Sequence, residues 1–431
     1  MRDFATSDSP AVQAQLDRLA QLSLPQGRLS LDPIRALLDR LGNPQRALPP
    51  VFHVAGTNGK GSTCAFLRAM LEAQGHRVHV FTSPHLVRYN ERIRIAGELV
   101  GDAELAALLG DVLDLAGGIA VSFFEVTTAA AFLAFARHPA DACVIEVGLG
   151  GRLDATNAIE HPAVCGVASL GIDHEAFLLA PEDGTPAEPL VRIAFEKASI
   201  AKPGAALVTQ AYPAGAAAQI AATAARHGAI LVRREYEWDA SIGERITYRD
   251  AAGTFDLPLP RLAGAHQADN AALAAAMLRH QCAVAISVET MARGIAAARW
   301  PARLQQLGPG PLTALAGSRA VWLDGGHNPD AGAAIAAHFA GLAPLHLIVG
   351  MLANKNPTAI AGALGSQIAS LTVVPIPGHA AHPAGAFGPG AMYAPDVAAA
   401  LALLPPGGDV LIAGSLYLAG EVLRLNREVP D

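Results

Sequence analysis

Charge and aromatic side chains are both scarce in this 431-residue chain: Asp, Glu, Lys and Arg together make up 16%, and Phe, Trp and Tyr 5%. With 52% hydrophobic residues, the low charge excludes an intrinsically disordered chain, which is poor in apolar residues and highly charged. The shortage of aromatics means that the cores are built mainly from Ala, Leu, Val and Ile. An excess of basic residues is also missing. The formal net charge of −7 argues against broad binding to nucleic acid or to an anionic membrane, and leaves room for a local basic pocket that holds phosphates. The four cysteines, Cys64, Cys143, Cys165 and Cys282, form no C-x-x-C pair and sit in apolar segments, so reduced, buried thiols are expected. No uncharged apolar stretch reaches the roughly 20 residues of a membrane span. The opening MRDFATSDSP lacks the charged-then-apolar pattern of a signal peptide. A soluble, cytoplasmic protein is expected.

At roughly 150 residues per domain, two or three domains are expected. Helical periodicity marks residues 11–42, with Leu16, Leu19, Leu37, Leu38 and Leu41 spaced for buried faces. VFHVAG (51–56) then reads as a short apolar strand, followed by a Gly-rich loop and a helix from Thr63 to Gln74. Further strands are predicted at 77–82, 141–148, 163–170, 205–210 and 229–234, with helices at 127–138, around 190–201 and at 214–227. Strands alternating with helices imply a parallel sheet covered on both faces. Residues 235–258 alternate polar and apolar positions and read as a small hairpin insert, and helices are predicted at 265–280 and 287–298. After Arg299-Trp300-Pro301 the alternation restarts, with strands in AVWLDGG, HLIVGML, LTVVPIP and DVLIAGS and a long Gly/Pro-rich loop at 378–391.

The densest chemical signal is Gly56-Thr57-Asn58-Gly59-Lys60-Gly61-Ser62-Thr63. It follows a predicted strand and precedes a predicted helix, the context in which backbone N–H groups and a helix N-terminus cradle phosphate. Lys60 would reach the β- and γ-phosphates, and Ser62 or Thr63 offers a hydroxyl to Mg²⁺. The spacing departs from the common G-x-x-x-x-G-K-[ST], because Gly61 intervenes before Ser62. Three more candidates end or follow predicted strands: Ser83 in TSPHL, Glu146 in an otherwise apolar strand, and His174 after Asp173. A carboxylate in such a strand is costly to bury unless it is paired or bound to metal. His174 alone would read as a solvated loop residue. In open α/β sheets, ligands bind beyond the carboxyl ends of the strands, so these candidates share one sheet edge. The fold class is therefore α/β: a large N-terminal parallel-sheet domain with the phosphate loop, residues 1–298, and a smaller Rossmann-like α/β domain, residues 302–431.

GTNGKGST, TSPHLVRYNERI, EVGLGGRLDATN, FEKASIAKPG and LDGGHNPD occur in this order. Together they resemble the folylpolyglutamate synthase/dihydrofolate synthase family of the Mur-ligase-like superfamily, over nearly the whole chain. The resemblance implies an ATP- and Mg²⁺-dependent amide ligase that adds L-glutamate to 7,8-dihydropteroate or to reduced folates. It implies that the 56–63 loop and Asn270 hold ATP, with Arg303 and Asp324 closing over it from the second domain. Two magnesium ions would be held by Ser62, Ser83, Glu146, His174 and Lys197, the last carbamylated on its ε-amine. Carbamylation turns an ammonium into a carboxylate-like ligand and needs a neutral amine of lowered pKa. Without the resemblance, Lys197 would read as an exposed helix lysine. Lys60, Glu146, His174 and Lys197 form the implied catalytic set. The pterin-bearing substrate would meet Ser122, Phe123, Phe124 and Glu125, then Leu153, Asp154 and Ala155, with Arg28 and Leu29 near the N-terminus. His327 and Ser415 would receive the incoming glutamate. The segment AFLLAPEDGTPAEPLVRIA after His174 is longer than the family leads one to expect and is expected to bulge into solvent.

A carboxylate is a poor acyl donor, and ATP activates it by placing the γ-phosphoryl group on it. The amine of glutamate then attacks the acyl phosphate. Positioning and charge neutralisation dominate such chemistry, and domain closure would exclude water. A monomer with small-molecule partners alone is expected. The rival readings are a Mur-type ligase acting on a UDP-linked acceptor, which usually carries an added N-terminal domain, and a nucleotide-binding regulator without turnover.

Overall fold

The computed structural model describes residues 5–22 and 30–430. Two compact units result. The first holds residues up to Ser83, Asn90–Arg261 and Gln267–Ala298. The second holds Arg299–Asp431 together with the short segments Pro84–Tyr89 and Leu262–His266.

In the first unit the strands are β1 (Val51–Ala55), β2 (Val78–Phe81), β3 (Ile93–Ile95), β4 (Glu98–Leu99), β5 (Ala142–Glu146), β6 (Val164–Val167), β7 (Ala206–Thr209) and β8 (Ile230–Arg233). They form one eight-stranded sheet in the order β4-β3-β2-β5-β1-β6-β7-β8. Pairing is parallel from β2 to β8, and β3 and β4 add an antiparallel edge. β1 is buried throughout, as a central parallel strand must be. Because the chain leaves β1 for β2 on one side and later reaches β6 on the other, the loop after β1 emerges where an open α/β sheet places its ligand crevice.

The helices of this unit are α1 (Pro10–Ala20), α2 (Asp32–Arg40), α3 (Lys60–Ala73), α4 (Asp102–Leu115), α5 (Phe123–Arg137), the short α6 (Glu175–Leu178), α7 (Pro189–Ala198), α8 (Ala214–His227), α9 (His266–Arg279) and α10 (Val288–Ala297). Their starts follow local chemistry. Ser122 and Glu125 form a reciprocal capping box at α5. α7 starts on Pro189, with the Glu188 carboxylate accepting from Leu190 and Val191 N–H. Leu16, Leu19, Leu37 and Leu38 are buried, whereas Leu41 is half-buried. The insert read as a hairpin is a three-stranded antiparallel sheet of β9 (Trp238–Ile242), β10 (Ile246–Asp250) and β11 (Gly253–Leu257). Trp238, Tyr248 and Phe255 stack along it. Cys64, Cys143 and Cys165 are buried free thiols, but Cys282 is exposed, because it lies in the bend that follows α9 rather than in a core element.

The second unit carries β12 (Gln305–Gln306), β13 (Val321–Leu323), β14 (Leu345–Val349), β15 (Ile368–Val373), β16 (Met392–Tyr393) and β17 (Val410–Ala413) in the order β12-β13-β17-β14-β15-β16. All pairs are parallel except β12 with β13. Its helices are α11 (Pro311–Leu315), α12 (Pro329–Phe339), α13 (Thr358–Leu364), α14 (Val397–Ala402) and α15 (Leu416–Asn426). Val410 and Ile412 join one apolar cluster with Leu418 and Val422. Leu411 and Ala413 join another with Ile335 and Ile360. That alternation shows a sheet buried on both faces. Among the described residues, no helix is long and apolar enough to cross a membrane.

Candidate active site

The phosphate loop begins at Gly56, directly after β1, and runs into α3 at Lys60. Gly59 caps α3 in the left-handed region, at φ +83°. A methyl group on Gly59 would also overlap the Asn270 amide, so only glycine lets α9 press this close to the loop. Asn270 itself donates to Gln267 Oε1 at 3.2 Å. Lys60 Nζ donates to the Gly56 and Thr57 carbonyls at 3.0 and 3.3 Å. Ser62 and Thr63 are buried in the first turn of α3. The Thr63 hydroxyl has no hydrogen-bond partner there, an unusual condition for a buried polar atom.

Lys197 is not the exposed helix lysine that its sequence context suggests. It lies on α7 at 4% exposure, and its Nζ donates to the same Gly56 carbonyl at 2.9 Å. Burial first, and the neighbouring Lys60 charge second, lower its pKa to about 7, against the pull of Asp173, Asp154 and Glu196. A sizeable share of its amine is therefore neutral near pH 7.

Glu146 ends β5 opposite Val54 of β1. It is 5% exposed, and its Oε2 accepts from the Ser83 backbone N–H at 3.2 Å. The residues leading to His174 are stitched to the phosphate loop. Thr57 N–H donates to the Ser169 carbonyl at 2.7 Å, Thr57 Oγ1 donates to the Gly171 carbonyl at 2.8 Å, and Ser169 Oγ donates to the Asn58 carbonyl at 3.1 Å. His174 itself takes a left-handed backbone, φ 52°, at the start of α6. Its imidazole lies 3.9 Å from the Asp173 carboxylate. Among the described residues, no group of three His, Cys, Asp or Glu side chains gathers as a metal cluster. The donor set at this edge is instead hydroxyls, one carboxylate and one imidazole beside a phosphate loop. With the unpartnered Thr63 hydroxyl, it fits a hard divalent cation that takes its remaining ligands from phosphate and water.

The acceptor candidates gather at the start of α5 and the turn after β5. Ser122 and Glu125 are engaged with one another, Ser122 Oγ donating to Glu125 Oε2 at 2.8 Å. Phe123 lies under the Arg92 guanidinium at 5.5 Å. Phe124 packs 6.0 Å from the Phe81 ring and fills the space where Gly148 has no side chain. Asp154 is 4% exposed, with Oδ2 accepting from Leu149 N–H at 2.7 Å and Oδ1 from Thr156 N–H at 3.0 Å. Burial, the largest influence, raises its pKa. Ala155 is buried and Leu153 half-buried. Arg28 and Leu29 lie outside the described residues.

The long segment after His174 does not simply bulge outward. Glu182 turns in between Arg152 and Arg192, at 2.6 and 2.9 Å, and both arginines also bind Glu196 at 3.0 Å. Opposite charges at close range outweigh the tendency of a polar loop to stay in water. Gly151 makes the arrangement possible, since a side chain there would strike the Glu196 carbonyl at 2.7 Å. A cavity of about 280 Å³ lies between this loop and the 149–153 turn. Arg152 and Glu196 sit inside the motifs GGRLDATN and FEKA, but nothing in those motifs points to Glu182 as their partner.

In the second unit, Arg303 stands between two residues with positive φ, Ala302 at 54° and Leu304 at 43°. Such a pair of strained residues needs external support. Asp324 supplies it by accepting from Leu304 N–H at 2.8 Å and Gly326 N–H at 2.6 Å. Arg303 donates to the Ala302 carbonyl at 2.8 Å. His327 Nδ1 pairs with the Gly325 carbonyl at 3.0 Å. Ser415 caps α15, its Oγ accepting from Tyr417 N–H at 3.1 Å.

A phosphate loop on the central strand, two lysines converging on one loop carbonyl and a carboxylate at the neighbouring strand end define an α/β protein of the nucleoside-triphosphate-dependent ligase class. No family model matches the chain. It is 34% identical over 417 residues to the folylpolyglutamate synthase of Lacticaseibacillus casei, covering 90% of this chain and 92% of that one. It is 36% identical over 343 residues to the dihydrofolate synthase/folylpolyglutamate synthase of Escherichia coli, covering 78% and 74%. The E. coli FolC structure in complex with DHPP and ADP matches with TM-score 0.83 and 31% identity, over 97% of each chain. A bifunctional folylpolyglutamate synthase/dihydrofolate synthase structure with Mn, AMPPNP and L-glutamate bound matches with TM-score 0.82 and 30% identity, over 98% of this chain and 99% of that one. The chain belongs to the folylpolyglutamate synthase/dihydrofolate synthase family.

Proposed function

We infer that this protein is an ATP-dependent ligase that joins the amine of L-glutamate to the carboxylate of 7,8-dihydropteroate, and of reduced folates that already carry glutamate. The observation that carries the reading is the meeting of Lys60 and Lys197 at the Gly56 carbonyl, beside the strand end where Glu146 meets Ser83, in a chain of this family.

The acceptor carboxylate attacks the γ-phosphorus of ATP, ADP leaves, and an acyl phosphate results. The glutamate amine then attacks the acyl carbon, loses a proton, and phosphate departs. Lys60, held over the loop carbonyls, swings to the phosphates when nucleotide enters, and backbone N–H groups at the start of α3 face the same anion. We assign nucleotide binding to residues 56–63 and Asn270 in the region 1–298, and to Arg303 and Asp324 in the region 302–431. His327 and Ser415 are assigned to glutamate. Ser62, Ser83, Glu146, His174 and a carbamylated Lys197 would hold two Mg²⁺ ions, which supply neutralisation of phosphate charge when bound. The roughly half-neutral Lys197 amine supports that modification, in which the amine nitrogen bonds to carbon dioxide and gives up a proton.

At the acceptor site, Phe124 offers a ring for stacking. A carboxylate has about four lone-pair positions. Leu149 N–H, Thr156 N–H and the Thr156 hydroxyl take three of these in Asp154, and Gly148 N–H also draws on the carboxylate, so one position at most accepts from a pterin N–H. Ser122, Phe123, Glu125, Leu153 and Ala155 complete the assignment. Phosphate release should require ATP, L-glutamate and dihydropteroate together. ATP binding without glutamate-dependent phosphate release would instead fit a nucleotide-binding regulator, and dependence on a UDP-linked acceptor would fit a Mur-type ligase.

A further inference from the structure

His53 occupies the middle of β1, paired with Ile145 of β5 and Cys165 of β6, and is fully buried. A parallel strand in such a place ordinarily carries a β-branched or other apolar side chain. An imidazole there must find partners for two nitrogens. One is found: Nε2 lies 2.9 Å from Thr156 Oγ1. The other, Nδ1, is buried with no hydrogen-bond partner. The histidine is therefore held in the core by a single polar contact, and that contact leads on. Thr156 Oγ1 lies 2.5 Å from Asp154 Oδ1, and Asp154 Oδ2 accepts from Leu149 N–H at 2.7 Å.

The direction of the chain follows from proton counting. A hydroxyl has one proton. Thr156 gives it to the Asp154 carboxylate, so its lone pair must receive a proton from His53. That fixes the imidazole as the Nε2–H tautomer and leaves Nδ1 bare, which is the less costly nitrogen to strand because it is not an unpaired N–H. Burial, aided by Lys202, lowers the His53 pKa to about 3, so the ring stays neutral and this tautomer persists at neutral pH.

We propose that His53 is a positioning residue for the acceptor pocket: through Thr156 it holds the Asp154 carboxylate in the orientation that receives a pterin N–H. The proposal rests on the assignment of Asp154 to the acceptor site. It joins the strand that launches the phosphate loop to the turn assigned to the acceptor, by the side chains of His53 and Thr156.

The test is steady-state kinetics of phosphate release on His53→Leu, His53→Gln, Thr156→Val and Asp154→Asn, with KM measured separately for dihydropteroate and for ATP. Gln places an amide N–H near the position of Nε2, and Leu removes the donor. His53→Leu and Thr156→Val should each raise KM for dihydropteroate about fivefold, the change that one hydrogen bond carries, with kcat and KM for ATP within about twofold of wild type. His53→Gln should restore most of the loss. The double variant should be no worse than Thr156→Val alone, because both act through one chain. If Asp154→Asn raises KM for dihydropteroate while His53→Leu does not, the positioning role is overturned and the acceptor assignment stands. If Asp154→Asn leaves that KM unchanged, both are overturned. An equal rise in KM for ATP, unrelieved by His53→Gln, would mark His53 as general scaffolding and overturn the proposal as well.

Discussion

Glu146 and Asp324 both stand at the carboxyl end of a parallel strand, one in each unit, and both are buried. They are used differently. Asp324 gives both oxygens to backbone N–H groups and pins the strained turn that presents Arg303. Glu146 accepts from the Ser83 N–H, on the strand that pairs with the one launching the phosphate loop. Ser415 and Ser83 differ in the same way, one spending its hydroxyl on a helix cap, the other placing its backbone against a carboxylate. Two sheets that obey the same rule for where ligands bind thus mix two uses of polar side chains. In the first unit they converge around a loop built for an anion. In the second, several of them hold the backbone in shape.

The contrast can be broken by substitution. Lys60→Ala should have the largest effect, lowering kcat by about 10²–10³-fold or more, as expected when a preorganised cation opposite developing charge is removed. Its melting temperature should stay close to wild type. Glu146→Gln should follow, with a loss of similar order in turnover and a weakened dependence on Mg²⁺ or Mn²⁺, again without loss of stability. Asp324→Ala should differ by losing stability as well as nucleotide binding. It leaves buried N–H groups unpaired and should cost about 1–3 kcal/mol of stability, read by denaturant unfolding. If Asp324→Ala proves fully stable, Asp324 does not pin the turn and the two carboxylates are used alike.

Lys197 sharpens the comparison further. With a folded-state pKa near 7 against an ordinary 10.5, the unfolded chain binds a proton that the folded chain does not across that interval. Its contribution to stability is therefore greatest above pH 10.5 and is lost as pH falls to about 7. In buffer free of carbon dioxide, the wild type should become more stable with rising pH over this range than Lys197→Met does. Turnover of the dialysed enzyme should rise on adding bicarbonate, and Lys197→Met should not respond. The smallest effect belongs to Ser415→Ala, where loss of the cap should cost about 1 kcal/mol. Its assignment to glutamate predicts a fall in kcat/KM for glutamate beside that loss, and an unchanged kcat/KM would leave Ser415 as a helix cap alone.

Much of this was legible in the sequence, and the exceptions have physical causes. The alternating apolar strands and the phosphate loop are local patterns, and β1, β2, β5, β6 and β7 stand where periodicity put them. α4 is not among the predicted helices, although Leu105, Leu108, Leu109 and Val112 line its buried face and Asp102 and Glu104 mark its first turn. β3 and β4 are too short to carry a period. Pro84–Tyr89 and Leu262–His266 pack with the second unit, a long-range choice that no local pattern records. Glu182 read as a solvated loop residue because its partners, Arg152 and Arg192, lie in other segments. His53 falls inside the apolar strand read at 51–56, and nothing local there points to Thr156 as its partner. Removing the carboxylate of Glu182, with Glu182→Ala, should cost of order 3 kcal/mol, since it leaves a partly buried arginine pair with one anion fewer.

The proposed activity requires Ser83, Glu146 and the glycine-rich loop to meet at one divalent-cation site. Crystals grown with a non-hydrolysable ATP analogue and Mn²⁺ would test this directly through anomalous scattering. The expected result is a manganese peak bonded to the Glu146 carboxylate and the Ser83 hydroxyl, in contact with the nucleotide phosphates over residues 56–63. A nucleotide seated on the loop with its manganese bound away from both side chains would contradict it.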